Sequence, residues 1–143
     1  MSRGCLAATA LLTVLLATIA AGQDSRRTIW DGVFTEDQAT RGQRGYAQSC
    51  TRCHADDLLG NSNAPALVGE AFFNRFNQST ADDVVQTIRR TMPQEAPNSL
   101  GAEAYVDIVS YLFKANGSPV GAAELISDRA ALQQILVTMK EGR

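Results

Sequence analysis

Cys50, Cys53 and His54 fall within one short stretch, YAQSCTRCHADDL, and His54 is the only histidine of the chain. Thiol and imidazole side chains this close can do three kinds of chemistry. They can hold a zinc ion, exchange electrons as a dithiol, or tether a porphyrin through both sulfurs while the imidazole reaches its metal.

A structural zinc site is closed by four Cys or His ligands. The only other cysteine, Cys5, belongs to an apolar N-terminal segment, so the rest of the chain offers two thiols and one imidazole. A thioredoxin-like dithiol expects its CxxC beside a βαβ unit, and the surroundings here read as helical. A plain disulfide would close a small ring and leave His54 without a role. Cys-x-x-Cys-His is the attachment pattern of c-type haem. Two thiols at this spacing reach the two vinyl groups on one porphyrin edge, and the next residue swings an imidazole under the iron.

An iron held on one face by His54 needs a group on the other, and no second histidine exists. The three methionines are the candidates. Met1 leaves with the N-terminal segment. Met139 sits on an apolar helical stripe, where core packing accounts for it. Met92 lies in a proline-bounded loop well downstream of His54 and is the expected distal ligand.

The N-terminal segment bears on where this chemistry happens. Arg3 is followed by an uncharged run from Gly4 to Gln23 with a Leu/Ala/Val core, then by small residues and the charged DSRR. This is the layout of a secretory signal peptide over residues 1–22, with cleavage before Gln23. The run is also long enough to anchor the chain in a bilayer if it stays uncleaved. Either way the folded part is expected outside the cytoplasm, in the periplasm. With 45% hydrophobic and 20% charged residues and a net charge of −2, the composition is that of a globular domain. No basic face interleaved with aromatics suggests nucleic-acid binding.

Several elements must position these groups. Residues 23–34 read as an extended arm pinned by Trp30 and Phe34. Thr35 and Gln38 form a capping-box pattern that starts a helix running to the cysteines; Gly42 and Gly45 inside it each cost about 1 kcal/mol relative to alanine. A loop rich in Gly, Asn and Pro follows His54. EAFFNRF is a short helical piece, Ser79 or Thr80 caps the next helix, and Pro93 ends that helix near Thr91. A further helix from about Gly101 carries Tyr105, Ile108, Val109 and Leu112 on one face, with Leu100 and Tyr105 at the staple positions, and ends at Gly117. A last helix is expected over about Asp128 to Lys140, with Leu132, Ile135, Leu136 and Met139 on one face. No strand is expected.

Together these residues resemble the class I monohaem cytochrome c family over nearly all of residues 30–117. Gly42 and Tyr46 match the glycine and aromatic that cross the family's C-terminal helix, where Ile108 and Tyr111 match the partner positions. In APALVG, Pro65 matches the proline whose carbonyl accepts the imidazole N–H, and Leu67 is expected against the haem. TMP at 91–93 matches the methionine-ligand loop. The wording of WDGVFTEDQATRGQRGY and TMPQEAPNSLGAEAYVDIVSYLFKANG is similar to small cytochromes c found beside, or fused to, periplasmic quinoprotein dehydrogenases.

The resemblance implies an all-α cytochrome c fold over 35–117, with a few helices around one covalent haem c, and a tail over 118–143 carrying an extra amphipathic helix. It implies an electron carrier rather than an enzyme, with His54 and Met92 as iron ligands. The implied partners are redox proteins such as a quinoprotein dehydrogenase and a terminal oxidase or another cytochrome. The alternative is an open-site haem c protein that binds small ligands, as a sensor or peroxidase-like protein.

Overall fold

The computed structural model describes residues 26–140; the apolar N-terminal segment, with Arg3 and Cys5, lies outside them. In chain order the elements are β1 (Arg27–Thr28), α1 (Glu36–Ser49), α2 (Thr51–His54), α3 (Glu70–Phe76), β2 (Ser79–Thr80), α4 (Ala81–Thr91), α5 (Ala102–Ala115), α6 (Arg129–Gln133) and β3 (Ile135–Val137). The chain is therefore mostly helical, as expected of the cytochrome c fold, with one small sheet added.

Two helices form the frame. Thr35 caps α1, its hydroxyl accepting from the Gln38 amide at 3.2 Å. Gly101 precedes α5 in extended geometry. The helices cross where Gly42 faces Asp107, so closely that a Cβ on Gly42 would stand 1.8 Å from the Asp107 carbonyl oxygen. Tyr46 and Tyr111 pack one turn further along, with ring centroids 5.5 Å apart. The glycine costly to helix propensity is thus the one that lets two backbones touch. The crossing fixes α5 against the helix that leads into Cys50.

Only half of the capping box expected at Thr35 forms. The Gln38 side chain turns away and takes both main-chain groups of Leu125, donating to its carbonyl at 2.7 Å and accepting from its amide at 2.8 Å. Gln38 is buried, and a paired amide is what burial requires of it. A complete box forms at α4, where the Thr80 hydroxyl accepts from the Asp83 amide and the Asp83 carboxylate accepts from the Thr80 amide.

The tail departs most from expectation. Its helix is confined to Arg129–Gln133, and Ile135–Val137 form a strand instead of continuing it. β3 lies at the centre of a three-stranded sheet, parallel to β1 and antiparallel to β2. Ile135 and Val137 are buried while Leu136 between them is half-buried, the period-two pattern of a strand. Pairing with both neighbours overrides the helical spacing, and the β-branched Ile135 and Val137 suit the outcome. The corrected register also moves Met139 out of the core: it is 54% exposed.

The tail nevertheless belongs to the body. Leu125, Leu132, Ile135 and Val137 join one core cluster with Ile29, Phe34, Phe72 and Phe113. The arm is pinned by the same sheet, with Ile29 donating to the Leu136 carbonyl and the Trp30 indole to that of Thr138, each at 2.9 Å.

Candidate functional site

α1 ends at Tyr46–Ser49 and the chain turns at once into the short α2. The Cys50 amide donates to the Tyr46 carbonyl at 2.8 Å, and the Cys50 carbonyl accepts from Cys53 and His54 at 3.1 and 2.9 Å. Cys50, Cys53 and His54 are thereby held on one tight turn. Ala55 then reverses the chain with φ 62° and ψ 164°, a region that disfavours side chains. The surroundings enforce that conformation: the Tyr46 hydroxyl donates to the Ala55 carbonyl at 2.7 Å, and the Gly60 amide to the His54 carbonyl at 3.0 Å.

The His54 ring is 5% exposed, and its Nδ1 lies 2.9 Å from the Pro65 carbonyl oxygen. A carbonyl can only accept, so Nδ1 carries a proton, and in the neutral ring the lone pair then lies on Nε2. That is the tautomer a metal-ligating imidazole needs. The loop that brings Pro65 in is built by Gly60, Asn61 and Asn116 together with Leu67. Gly60, at φ 68°, lets the Ala64–Pro65 backbone approach where a Cβ would meet the Ala64 oxygen at 2.3 Å. Asn61 pairs with Ala64 and donates its side-chain amide to the Cys53 carbonyl at 2.7 Å. Leu67 donates to the Leu58 carbonyl at 2.8 Å, and its own carbonyl accepts from the Asn116 side chain at 3.0 Å. The Gly-Asn pair in LLGNSNAP carries a turn signal; nothing local to Asn116 marks its side chain as a partner of Leu67.

Met92 terminates α4, with its amide donating to the Ile88 carbonyl at 2.7 Å and its backbone extended beyond. Its neighbour Pro93 and Leu100, from the same loop, share a cleft of about 360 Å³ with Cys53 and Arg52. An ion pair between Arg52 and Glu95 spans the two walls; both partners are exposed, so it adds little stability. Met92 itself is half-buried. The fold thus gathers Cys50, Cys53, His54, Pro65 and Leu67 through one set of hydrogen bonds, and it brings the loop after Met92 to a cleft that, of these five, Cys53 alone lines.

The alternatives to haem fail on donor chemistry. Among the described residues there is no cluster of three or more His, Cys, Asp and Glu side chains able to hold a metal ion, which leaves zinc without a closed ligand set. The two thiols are unpaired. Burial first, then the neighbouring Cys53, pushes the Cys50 thiol up to about 11, the reverse of the lowered value that activates a redox cysteine. The donors present do fit haem c: two unpaired thiols, an imidazole with Nδ1 already occupied, and half-buried apolar side chains at Leu67, Val68, Ile88 and Leu100.

Residues 37–112, more than half of the chain, match the family model described as cytochrome c oxidase, cbb3-type, subunit III. Among solved structures the chain is similar to the sulfane dehydrogenase SoxCD from Paracoccus pantotrophus, at 19% identity and a TM-score of 0.48. That match covers 75% of this chain and 61% of the other, so this chain spans less than two thirds of its length. No curated protein sequence matches.

Proposed function

The chain belongs to the family described as cytochrome c oxidase, cbb3-type, subunit III, and from that premise we propose that it is an exported single-haem cytochrome carrying electrons one at a time between redox partners, with His54 and Met92 as the axial ligands. The observation that carries the reading is the buried His54 imidazole, directly behind both thiols and held at Nδ1 by Pro65. Haem c is the covalent cofactor of this family and supplies a one-electron iron couple when bound.

The residues of the chain have distinct tasks in this reading. Cys50 and Cys53 hold the group by thioether bonds. His54 presents Nε2, and the bond from Nδ1 to Pro65 fixes the ring and raises its basicity. Met92 offers a soft thioether, which favours the reduced state and raises the potential. Leu67 and its half-buried neighbours keep water away. If His54 and Met92 both bound the iron, no position would remain open for a small molecule, which would separate a carrier from a ligand-binding haem protein.

The signal-peptide layout of residues 1–22 supports a periplasmic location for the folded part, tethered to the membrane if the segment stays uncleaved. The partners in this reading are periplasmic redox proteins, such as a quinoprotein dehydrogenase and a terminal oxidase or another cytochrome. Among the described residues no helix is long and apolar enough to cross a membrane.

An absorption spectrum of the exported, matured protein tests the proposal. The expected result is the haem c signature in pyridine, together with the weak far-red band of a sulfur-to-ferric-iron bond. Haem without that band would transfer the reading to an open-site haem protein. No haem, in a host able to attach it, would overturn it. N-terminal sequencing of the same sample separates a cleaved carrier from an anchored one.

A further inference from the structure

We infer that Tyr105 is the positioning residue for Met92, acting through the main chain; this rests on the reading of Met92 as distal ligand. Tyr105 is fully buried in α5, yet its hydroxyl has a partner: it donates to the Met92 carbonyl at 2.9 Å. The Leu100 amide points at the Tyr105 hydroxyl oxygen from 3.4 Å, a long and weak contact. One hydroxyl therefore stands between the first and last residues of the segment 92–100.

The Met92 carbonyl needs that partner. The Met92 amide closes the last turn of α4 on Ile88, but the backbone then extends at φ −133° and ψ 152°, so its carbonyl leaves the helical ladder. Bonds within the loop, from Ala96 to the Pro93 carbonyl at 2.9 Å and from Ser99 to that of Ala96 at 3.2 Å, shape it without tying it to the body. A bond from Asn98 to the Arg89 carbonyl at 2.9 Å returns it to α4. Tyr105 supplies the link to α5, and α5 is locked by Gly42 onto the helix that carries Cys50. A rigid route thus runs from the attachment segment to the backbone of Met92. Without the hydroxyl, the Met92 backbone would keep its bond to Ile88 on α4, and its loop would keep the return to α4 through Asn98 and the exposed Arg52–Glu95 ion pair.

The test uses the haem-loaded full chain as wild type, Tyr105→Phe and Val109→Ala. Val109 is fully buried on the same helix and is remote from the Met92 carbonyl in the bonding scheme, so its truncation reports general loosening. External imidazole is titrated against the ferric protein, and the far-red band and Tm are recorded. Tyr105→Phe is expected to bind imidazole about tenfold more tightly, equivalent to about 1.4 kcal/mol, with a weakened far-red band. Val109→Ala is expected to lower Tm and leave imidazole affinity within about twofold of wild type. Unchanged affinity and band in Tyr105→Phe, or an equal gain in affinity in Val109→Ala, overturns the inference and leaves Met92 ligation intact. A wild type lacking the far-red band overturns Met92 ligation itself, and the inference with it.

Discussion

The side-chain amide of Asn116 donates to the Leu67 carbonyl, 49 residues away, at 3.0 Å, while its oxygen accepts from the Gly69 amide at 2.9 Å. The same amide group also donates to the Leu112 carbonyl at 2.8 Å. One buried side chain at the end of α5 thereby holds the loop whose other end presents Pro65 to His54. Asn116→Ala removes all three side-chain bonds and takes these partners from the half-buried Leu67 carbonyl and the Gly69 amide, so it should cost about 2 kcal/mol in denaturant unfolding. Asn116→Asp keeps the acceptor for Gly69 but sets a negative charge against two carbonyls. At neutral pH it should destabilise at least as much; a loss under about 0.5 kcal/mol in both variants would show that the loop stands without this strap.

Gly42 and Gly45 are both glycines inside α1, and the structure separates their roles. A Cβ at Gly42 meets Asp107 backbone atoms at 1.8 and 2.5 Å, which no rotamer change can relieve. Gly42→Ala should therefore force the helices apart and cost about 3 kcal/mol or more. A Cβ at Gly45 meets only the Ile108 side chain, at 3.2 Å. There the gain of about 1 kcal/mol in helix propensity should roughly cancel the crowding. Thermal unfolding of the two variants checks the contrast, and equal losses would contradict it.

The helices of the haem-bearing region were legible because their signals are local. Caps at Thr35 and Thr80, the proline at 93 and the spacing of Tyr105, Ile108 and Leu112 depend on neighbours a few residues away. The CxxCH cluster was legible for the same reason. Gly42 was noticed because it violates helix propensity, and a close crossing explains the violation. The tail was misread because its structure is set by distant pairing: nothing around Leu136 announces that Thr28 and Thr80 will flank it. Gln38 was misread similarly, since its partner Leu125 lies far along the chain. Asn116 and Tyr105 were hidden because one side chain acts on main-chain atoms across the fold.

Asp82 ties the tail to α4. It is 2% exposed and accepts from Arg129 at 3.0 Å and from Gln133 and Gln86 at 3.2 Å. Burial raises its pKa, but the hydrogen bonds from Arg129, Gln133 and Gln86 outweigh it and hold the carboxyl below the usual range. A carboxyl lowered on folding contributes stability that is fully present above its unfolded value and is lost as pH falls through the folded one. The wild type should hence lose stability below about pH 4, and Asp82→Asn should flatten that slope at a cost near neutral pH. Asp31, held low by the Thr28 amide and hydroxyl, supplies part of the slope that remains. Urea midpoints across the acid range decide it: parallel curves for both proteins would remove Asp82 from the pH response.

Met92→Ala tests the ligand without dismantling its loop. The Met92 amide and carbonyl make their bonds to Ile88 and Tyr105 through the main chain, so the substitution leaves both in place. What it removes is the thioether. Axial ligands spread haem potentials over about 0.8 V, and loss of the softer one should lower the potential by on the order of 100 mV. Cyanide or imidazole should also bind more tightly than to the wild type, because the chain no longer competes for that face of the iron. A variant that keeps the wild-type potential and ligand affinity would show that some other group fills the position. A variant that changes both while retaining its fold would place the sulfur of Met92 on the iron.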